Sequence, residues 1–115
     1  MKRDPEGVGV LVVTTNEVEG RASAHVLGLA FGVVVRSRGL GGNVVAAFRS
    51  LGGGEIKEYT EMLEDARRAA IDRLVANAHA MGANAVLMVR FDSSELGQTM
   101  SEVVAYGTAC VLREA

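Results

Sequence analysis

The residues best suited to chemistry surround a glycine-rich stretch in the first half of the chain. Arg36 and Arg38 precede three closely spaced glycines, and Asn43 follows them. Asn43 can cap a helix, whose first N–H groups would lie at the positive end of the helix dipole. With Arg49 nearby, these residues predict an anion-binding site made by Arg36, Arg38, Asn43 and Arg49. The alternative is a plain loop with a capped helix, since the lysine of a phosphate-binding loop is missing.

A second group of charged residues follows the glycines at 52–54. Glu55 and Glu58 form an acidic cluster that could hold a cation. Carboxylates at three-residue spacing spread around the start of a helix and do not converge on one point. Compensation of the helix dipole explains the same residues without a ligand.

Soft or borderline metal ligands are few and far apart in the sequence. They are His25, His79 and Cys110, besides methionines, and none has the paired spacing of a zinc site. A metal site could gather one ligand from each copy across a subunit interface, although a lone histidine on a strand or helix is more often structural or exposed. The sequence leaves the metal ligands undetermined.

No catalytic arrangement stands out. No serine lies in a nucleophile elbow, and Cys110 follows Ala109 and precedes Val111, with no charged neighbour to lower its pKa. Asp92 and Glu102 could face each other if the last two strands pair, which would suit acid/base chemistry, although a solvated strand end explains them equally. We therefore expect a protein that is not an enzyme.

The pattern of apolar residues predicts four strands and two helices in one α+β domain. The sheet is expected to be mainly antiparallel, with one long and one short helix packed as a second layer. Residues 17–24 and 93–99 are expected to be loops. The elements, in order, are strands Val8–Thr15 and His25–Ser37, a short helix Asn43–Leu51, a long helix Lys57–Met81, and strands Ala83–Asp92 and Met100–Arg113.

These strands are apolar on both faces, which predicts self-association. In the second strand Leu27, Leu29, Phe31, Val33 and Val35 share one face, and the other, made by residues 28, 30, 32 and 34, is nearly flat. The flat face is a candidate subunit contact because glycines let another backbone approach. In the third strand, residues 87, 89 and 91 are expected to point one way and residues 86 and 88 the other. One chain has too few helices to cover both faces, so other copies are expected to complete the cover.

Composition narrows the class of partner and the compartment. The 115 residues fit one domain, 1–115, with a core from about 8 to 112. A net charge of −2 and 4% aromatic residues disfavour a nucleic-acid partner. A single cysteine points to a reducing, cytoplasmic location, and no targeting or membrane segment is expected.

Five segments carry a resemblance to a known family: Thr14–Gly20, Val26–Val35, Gly53–Leu63, Gly82–Val86 and Ala105–Ala109. Together they resemble the YbjQ-like family of small bacterial and archaeal proteins, often labelled "putative heavy-metal-binding". The resemblance covers nearly the whole chain. It implies a dodecin-like subunit and a ring-shaped homo-oligomer, expected to be a pentamer.

The sequence thus predicts an uncharacterised, self-assembling binding protein of the cytoplasm. Its subunit interfaces would hold a metal ion or a small anionic ligand. The alternative is a structural ring that recruits another protein through its glycine-rich loops or an exposed strand edge. An enzyme with residues shared between subunits is the third hypothesis, and it requires carboxylates or His25 to face a neighbouring copy.

Overall fold

A four-stranded sheet carries one long helix in the computed structural model, which describes residues 9–37, 57–96 and 100–115. The elements are β1 (Leu11–Val12), β2 (Arg21–Ser37), α1 (Lys57–Ala80), β3 (Ala85–Leu96) and β4 (Met100–Glu114). The strand order is β1-β3-β4-β2, in which only the β1–β3 pair is parallel. The α+β class and the mainly antiparallel sheet are confirmed. The short helix expected over 43–51 lies outside the described residues.

The strands differ in length from those expected. β1 has only two residues, whereas β2 begins at Arg21, inside the segment expected to be a loop. β3 extends to Leu96, so residues 93–96 are strand and the loop prediction there is wrong. The reason is pairing with β4, which bonds the backbone of both segments regardless of their polar side chains.

The end of α1 follows the sequence closely. Gly82 has a positive φ of 91°, and its N–H donates to the carbonyl of His79 at 2.9 Å. The N–H of Ala83 donates to the carbonyl of Ala78 at 3.1 Å, which completes a Schellman motif. The three- and four-residue spacing of apolar residues in the sequence predicts an apolar helix face that includes Leu63 and Met81, but both side chains are exposed. The helical core lies between them, at Ala66, Ala70, Leu74, Val75 and Ala78.

The flat face of β2 is covered by α1 and is not a subunit contact. Ala30 and Val34 are buried in the cluster that includes Ala70 and Leu74. A Cβ on Gly32 would lie 2.3 Å from the carbonyl oxygen of Ala70, so the helix rests directly on the glycine backbone. The expectation that another copy occupies this face is therefore wrong. We call this side of the sheet the inner face and the opposite side the outer face.

A bulge in β3 reverses the alternation expected there. Pairing with β4 is irregular between Leu87 and Arg90, and Met88 adopts a positive φ of 57°. As a result Val86 and Val89 both join the core under α1, whereas Leu87 packs in a cluster on the outer face. The prediction that Leu87 and Val89 share a face is wrong because a bulge inserts an extra residue.

The side chain of Asn84 extends the pairing of β3 with β4. Its Nδ2 donates to the carbonyl of Leu112 at 3.0 Å, and its Oδ1 accepts the N–H of Leu112 at 2.8 Å. Its own backbone N–H donates to the carbonyl of Cys110 at 3.1 Å, and its carbonyl accepts the N–H of Leu11 at 3.0 Å. Asn84 thereby holds β1, β3 and β4 together at one end of the sheet.

Candidate functional site

The outer face presents apolar side chains to solvent along β2. Val26 is 69% exposed, Leu29 64% and Phe31 50%, whereas Ala30 and Val34 on the inner face are buried. In the register with β4, Leu29, Phe31 and Val33 lie opposite residues 108, 106 and 104. Side chains of such paired residues project to the same face, so Tyr106 and Val104 widen the strip. We define the β2–β4 strip as the outer-face residues Val26, Leu29, Phe31, Val33, Val35, Val104 and Tyr106.

The β2–β4 strip is long and continuous. From Val26 to Val35 it runs roughly 30 Å, at about 3.3 Å per strand residue. Large exposed apolar patches are a general mark of interaction surfaces, whereas isolated exposed apolar residues carry no such meaning. Half-exposed Phe31 and Leu29 each leave on the order of 1 kcal/mol of burial energy unused.

One end of the outer face is already covered by the chain itself. Leu11 and Val18, from the segment around β1, pack against Ala85, Cys110 and Leu112. Arg90 fastens this segment by donating from Nη1 to the carbonyl of Thr14 at 3.0 Å. Intrachain cover therefore protects the end that contains Cys110 and leaves the β2–β4 strip open.

The part of the outer face next to the strip is polar. Asp92 pairs in register with Val104, and Ser94 pairs with Glu102. The Ser94 hydroxyl donates to Oε1 of Glu102 at 2.9 Å. Asp92 and Glu102 lie two register positions apart on one face and are not directly opposite, so the expected facing pair of carboxylates is not formed. Neither carboxylate is buried.

Two shallow cavities lie away from the strip. One of about 400 Å³ is formed by the turn at residues 16–18 with Arg21, Ser23, Leu87 and Leu112. The other, of about 300 Å³, lies between α1 and β3, where the Arg67 guanidinium stands 5.4 Å from the centroid of the Phe91 ring. Both are open to solvent, and neither gathers the buried polar groups that fix the orientation of a small ligand.

The residues predicted for ligand binding are mostly beyond the described parts. Arg38, Asn43, Arg49 and Glu55 lie outside them. Arg36 is exposed near the end of β2, paired in register with Ser101, and Glu58 is the second residue of α1. The anion site and the acidic cluster therefore remain predictions.

Candidate metal ligands are not gathered in a single subunit. His25 on β2 and His79 in the last turn of α1 are both exposed, while Cys110 is fully buried. Across residues 9–37, 57–96 and 100–115, no three histidine, cysteine or acidic side chains come close enough to hold a metal ion. Burial also raises the pKa of the Cys110 thiol, which disfavours the thiolate that a metal would need.

Three residues that the sequence analysis did not single out shape the site. Arg73 and Asn77 of α1 bond to backbone carbonyls of β2, and Met88 sets the bulge in β3. In the sequence, Arg73 and Asn77 resemble other polar positions of a helix. Only the packed structure shows that they lie beside the edge of β2. Nothing in the sequence marks Met88 for a positive φ, which usually favours glycine or asparagine.

The structure is that of a small α+β protein with a helix on one face of its sheet and an exposed apolar strip on the other. In the described residues, no helix is long and apolar enough to cross a bilayer. Residues 10–113 match the model of a family described as "Putative heavy-metal-binding", and the chain belongs to this family.

Close relatives span nearly the same length. The chain is 64% identical to a UPF0145 protein of Bradyrhizobium sp. (strain ORS 278), over 92% of this chain and 96% of that protein. It is 56% identical to a UPF0145 protein of Thermoplasma acidophilum, over 91% and 88% respectively. The fold resembles a crystal structure from Pediococcus pentosaceus, of a protein with unknown function in the DUF74 family. The TM-score is 0.62 at 11% identity, with 91% of this chain and 99% of that chain covered.

Proposed function

We propose that this chain is a cytoplasmic, self-assembling binding protein whose copies meet on the β2–β4 strip. The observation that carries the proposal is the exposure of Val26, Leu29 and Phe31 on a sheet whose inner face is packed against α1. A second copy would bury this strip, just as the segment around β1 buries the end of the outer face that contains Cys110. A closed ring, such as the pentamer that the family resemblance implies, would give every copy the same contact.

The proposed ligand is a metal ion or a small anion held where copies meet. The family description supports the metal, and the scattered positions of His25, His79 and the acidic residues favour a site assembled from more than one copy. The anion would be held by Arg36, Arg38, Asn43 and Arg49. Glu55 and Glu58 would supply the acidic cluster for a cation.

Light scattering after size-exclusion chromatography tests the assembly. We expect the purified protein to have a mass several times 12.1 kDa. The Leu29→Ser/Phe31→Ser variant should dissociate towards 12.1 kDa, because it removes the centre of the strip. Leu63→Ser is the matched control, since Leu63 is exposed on the helix and not on the strip. A 12.1 kDa wild type at micromolar concentration, or an assembly that the double variant leaves intact, would refute the proposed contact.

Native mass spectrometry with added Zn²⁺, Cu⁺ or phosphate tests the ligand. A site at subunit contacts predicts a fixed number of ions per assembly and no bound ion on the dissociated variant. Variants His25→Ala and His79→Ala then distinguish the metal ligands, and Arg36→Gln tests the anion site. Equal binding by wild type and dissociated variant would exclude a site between copies, and an assembly that stays empty with every ion would exclude the ligand role.

A further inference from the structure

β2 forms one edge of the described sheet, and this edge is long, whereas the other edge is the two-residue β1. β2 has 17 residues and pairs only with β4, so its other side is an edge in the described sheet. An edge of this length normally offers a row of backbone groups to a strand from another chain. Such pairing is open-ended, because each added strand exposes a new edge.

Two side chains of α1 reach this edge. Nη1 of Arg73 donates to the carbonyl of Val33 at 2.7 Å, and Nδ2 of Asn77 donates to the carbonyl of Phe31 at 2.7 Å. Phe31 and Val33 are alternate residues, so their carbonyls point to the same side of an antiparallel strand. Both hydrogen bonds are exposed, whereas bonds to β4 lie inside the sheet. The two carbonyls therefore lie on the free side.

A second part of the edge, residues 23–28, is irregular in its backbone. Pairing of β2 with β4 shifts between Ser23 and His25 and again between Val26 and Gly28, and Gly28 has a φ of 122°. Bulges of this kind twist an edge and break the regular spacing that an added strand needs. Irregular backbone thus protects residues 23–28, and helix side chains protect residues 31–33.

We infer that Arg73 and Asn77 close the edge of β2 against strand addition, so that copies of the chain associate through the β2–β4 strip and not edge to edge. The statement that copies associate through the β2–β4 strip rests on the proposed function. The closure of the β2 edge does not rest on it, because the closure follows from the hydrogen bonds of Arg73 and Asn77. Removing both donors would free two carbonyls beside an exposed apolar strip, which is the combination that promotes β-sheet growth.

The test compares the Arg73→Ala/Asn77→Ala variant with wild type and with Arg68→Ala, an exposed α1 arginine whose ion pair is with Asp65 at 3.6 Å. Light scattering and thioflavin T fluorescence are measured at rising protein concentration, with circular dichroism as the check on folding. We expect the double variant at least to double in average mass and to gain thioflavin fluorescence, while Arg68→Ala matches wild type.

A folded double variant with the mass and fluorescence of wild type would overturn the inference. If the double variant does not fold, Arg73→Met/Asn77→Leu replaces it, since it keeps the size of both side chains and removes both donors without adding a charge at the edge. Growth of this variant supports the inference, and wild-type behaviour refutes it. A wild type with a mass of 12.1 kDa would refute the proposed assembly. It would not refute the edge closure, which is judged by the difference in mass and fluorescence between the variant and the wild type.

Discussion

Gly32 of β2 lies directly beneath Ala70 of α1, with no room for a side chain between them. A Cβ on Gly32 would stand 2.3 Å from the carbonyl oxygen of Ala70 and 2.4 Å from the backbone nitrogen of Leu74. Both neighbours are backbone atoms, which cannot move aside by changing rotamer. The contact sets how closely the helix approaches the sheet, and it explains why the inner face uses such small residues.

Gly32→Ala should destabilise the protein by about 3 kcal/mol, because the methyl group must push the helix away from its core contacts. Urea denaturation followed by circular dichroism measures the change. Gly28→Ala in the same strand is the control. Its Cβ would meet no atom within 4 Å, and only its φ of 122° is unfavourable, so we expect a loss of about 1 kcal/mol. Equal losses for the two variants would argue against the close helix contact.

Asn84→Asp should cost about 2 kcal/mol at neutral pH. The change removes the Nδ2 donor to the carbonyl of Leu112 and places a charge in a partly buried site. Asn16→Asp, at an exposed position in a turn, should change stability by less than about 0.5 kcal/mol. Urea denaturation measures the free energy of unfolding of both variants. If Asn84→Asp is as stable as Asn16→Asp, the side-chain amide of Asn84 contributes little to stability.

Cys110 should make stability fall at alkaline pH. Its pKa in the folded protein is raised above its ordinary value of 9.0 by burial, so the unfolded chain loses the thiol proton first. The resulting contribution is fully present below pH 9 and is lost as the pH rises above it. The alkaline loss of stability should be smaller in Cys110→Ala, measured relative to each protein's own stability at pH 7. The same loss in both proteins would assign it to other groups.

Met88→Gly should stabilise the protein by about 0.5 to 1 kcal/mol, because glycine adopts a positive φ without the strain that a methionine side chain adds. Met100→Gly is the control. Met100 is similarly exposed in β4, but its φ is not positive. Glycine at this position should therefore destabilise the protein by about 1 kcal/mol. Thermal denaturation gives the sign of each effect. A loss at both positions would show that the Met88 side chain contributes more than its backbone costs.

Local signals in the sequence were sufficient for the elements and for the end of the helix. The three- and four-residue spacing of Ala66, Ala70 and Leu74 predicts a helix, and Gly82 predicts its last turn, because both depend on neighbours within a few residues. The two-sided apolar pattern of β2 also depends only on neighbouring residues. Which face is covered does not, because only the packing of α1 places Gly32 on the inner face and Phe31 on the outer face.

The candidate site could be predicted only in part for the same reason. The apolar row from Leu29 to Val35 is visible in the sequence as a face that needs cover. The closure of the β2 edge by Arg73 and Asn77 depends on residues 40 and 46 positions further along the chain. The bulge at Met88 has no compositional signal. A single sequence does not reveal contacts between distant segments. It also does not reveal backbone conformations that a residue type disfavours.

The pairing of β2 with β4 also has a consequence for biosynthesis. Arg21 is in register with Glu114, and Ser37 with Met100, so β2 leaves the ribosome long before any residue of its partner strand has been made. A nascent chain therefore carries an unpaired, apolar strand throughout the translation of α1 and β3. Of the described elements, α1 is the first to be made after β2 and the one that covers its inner face, so early docking of α1 would shorten this exposure.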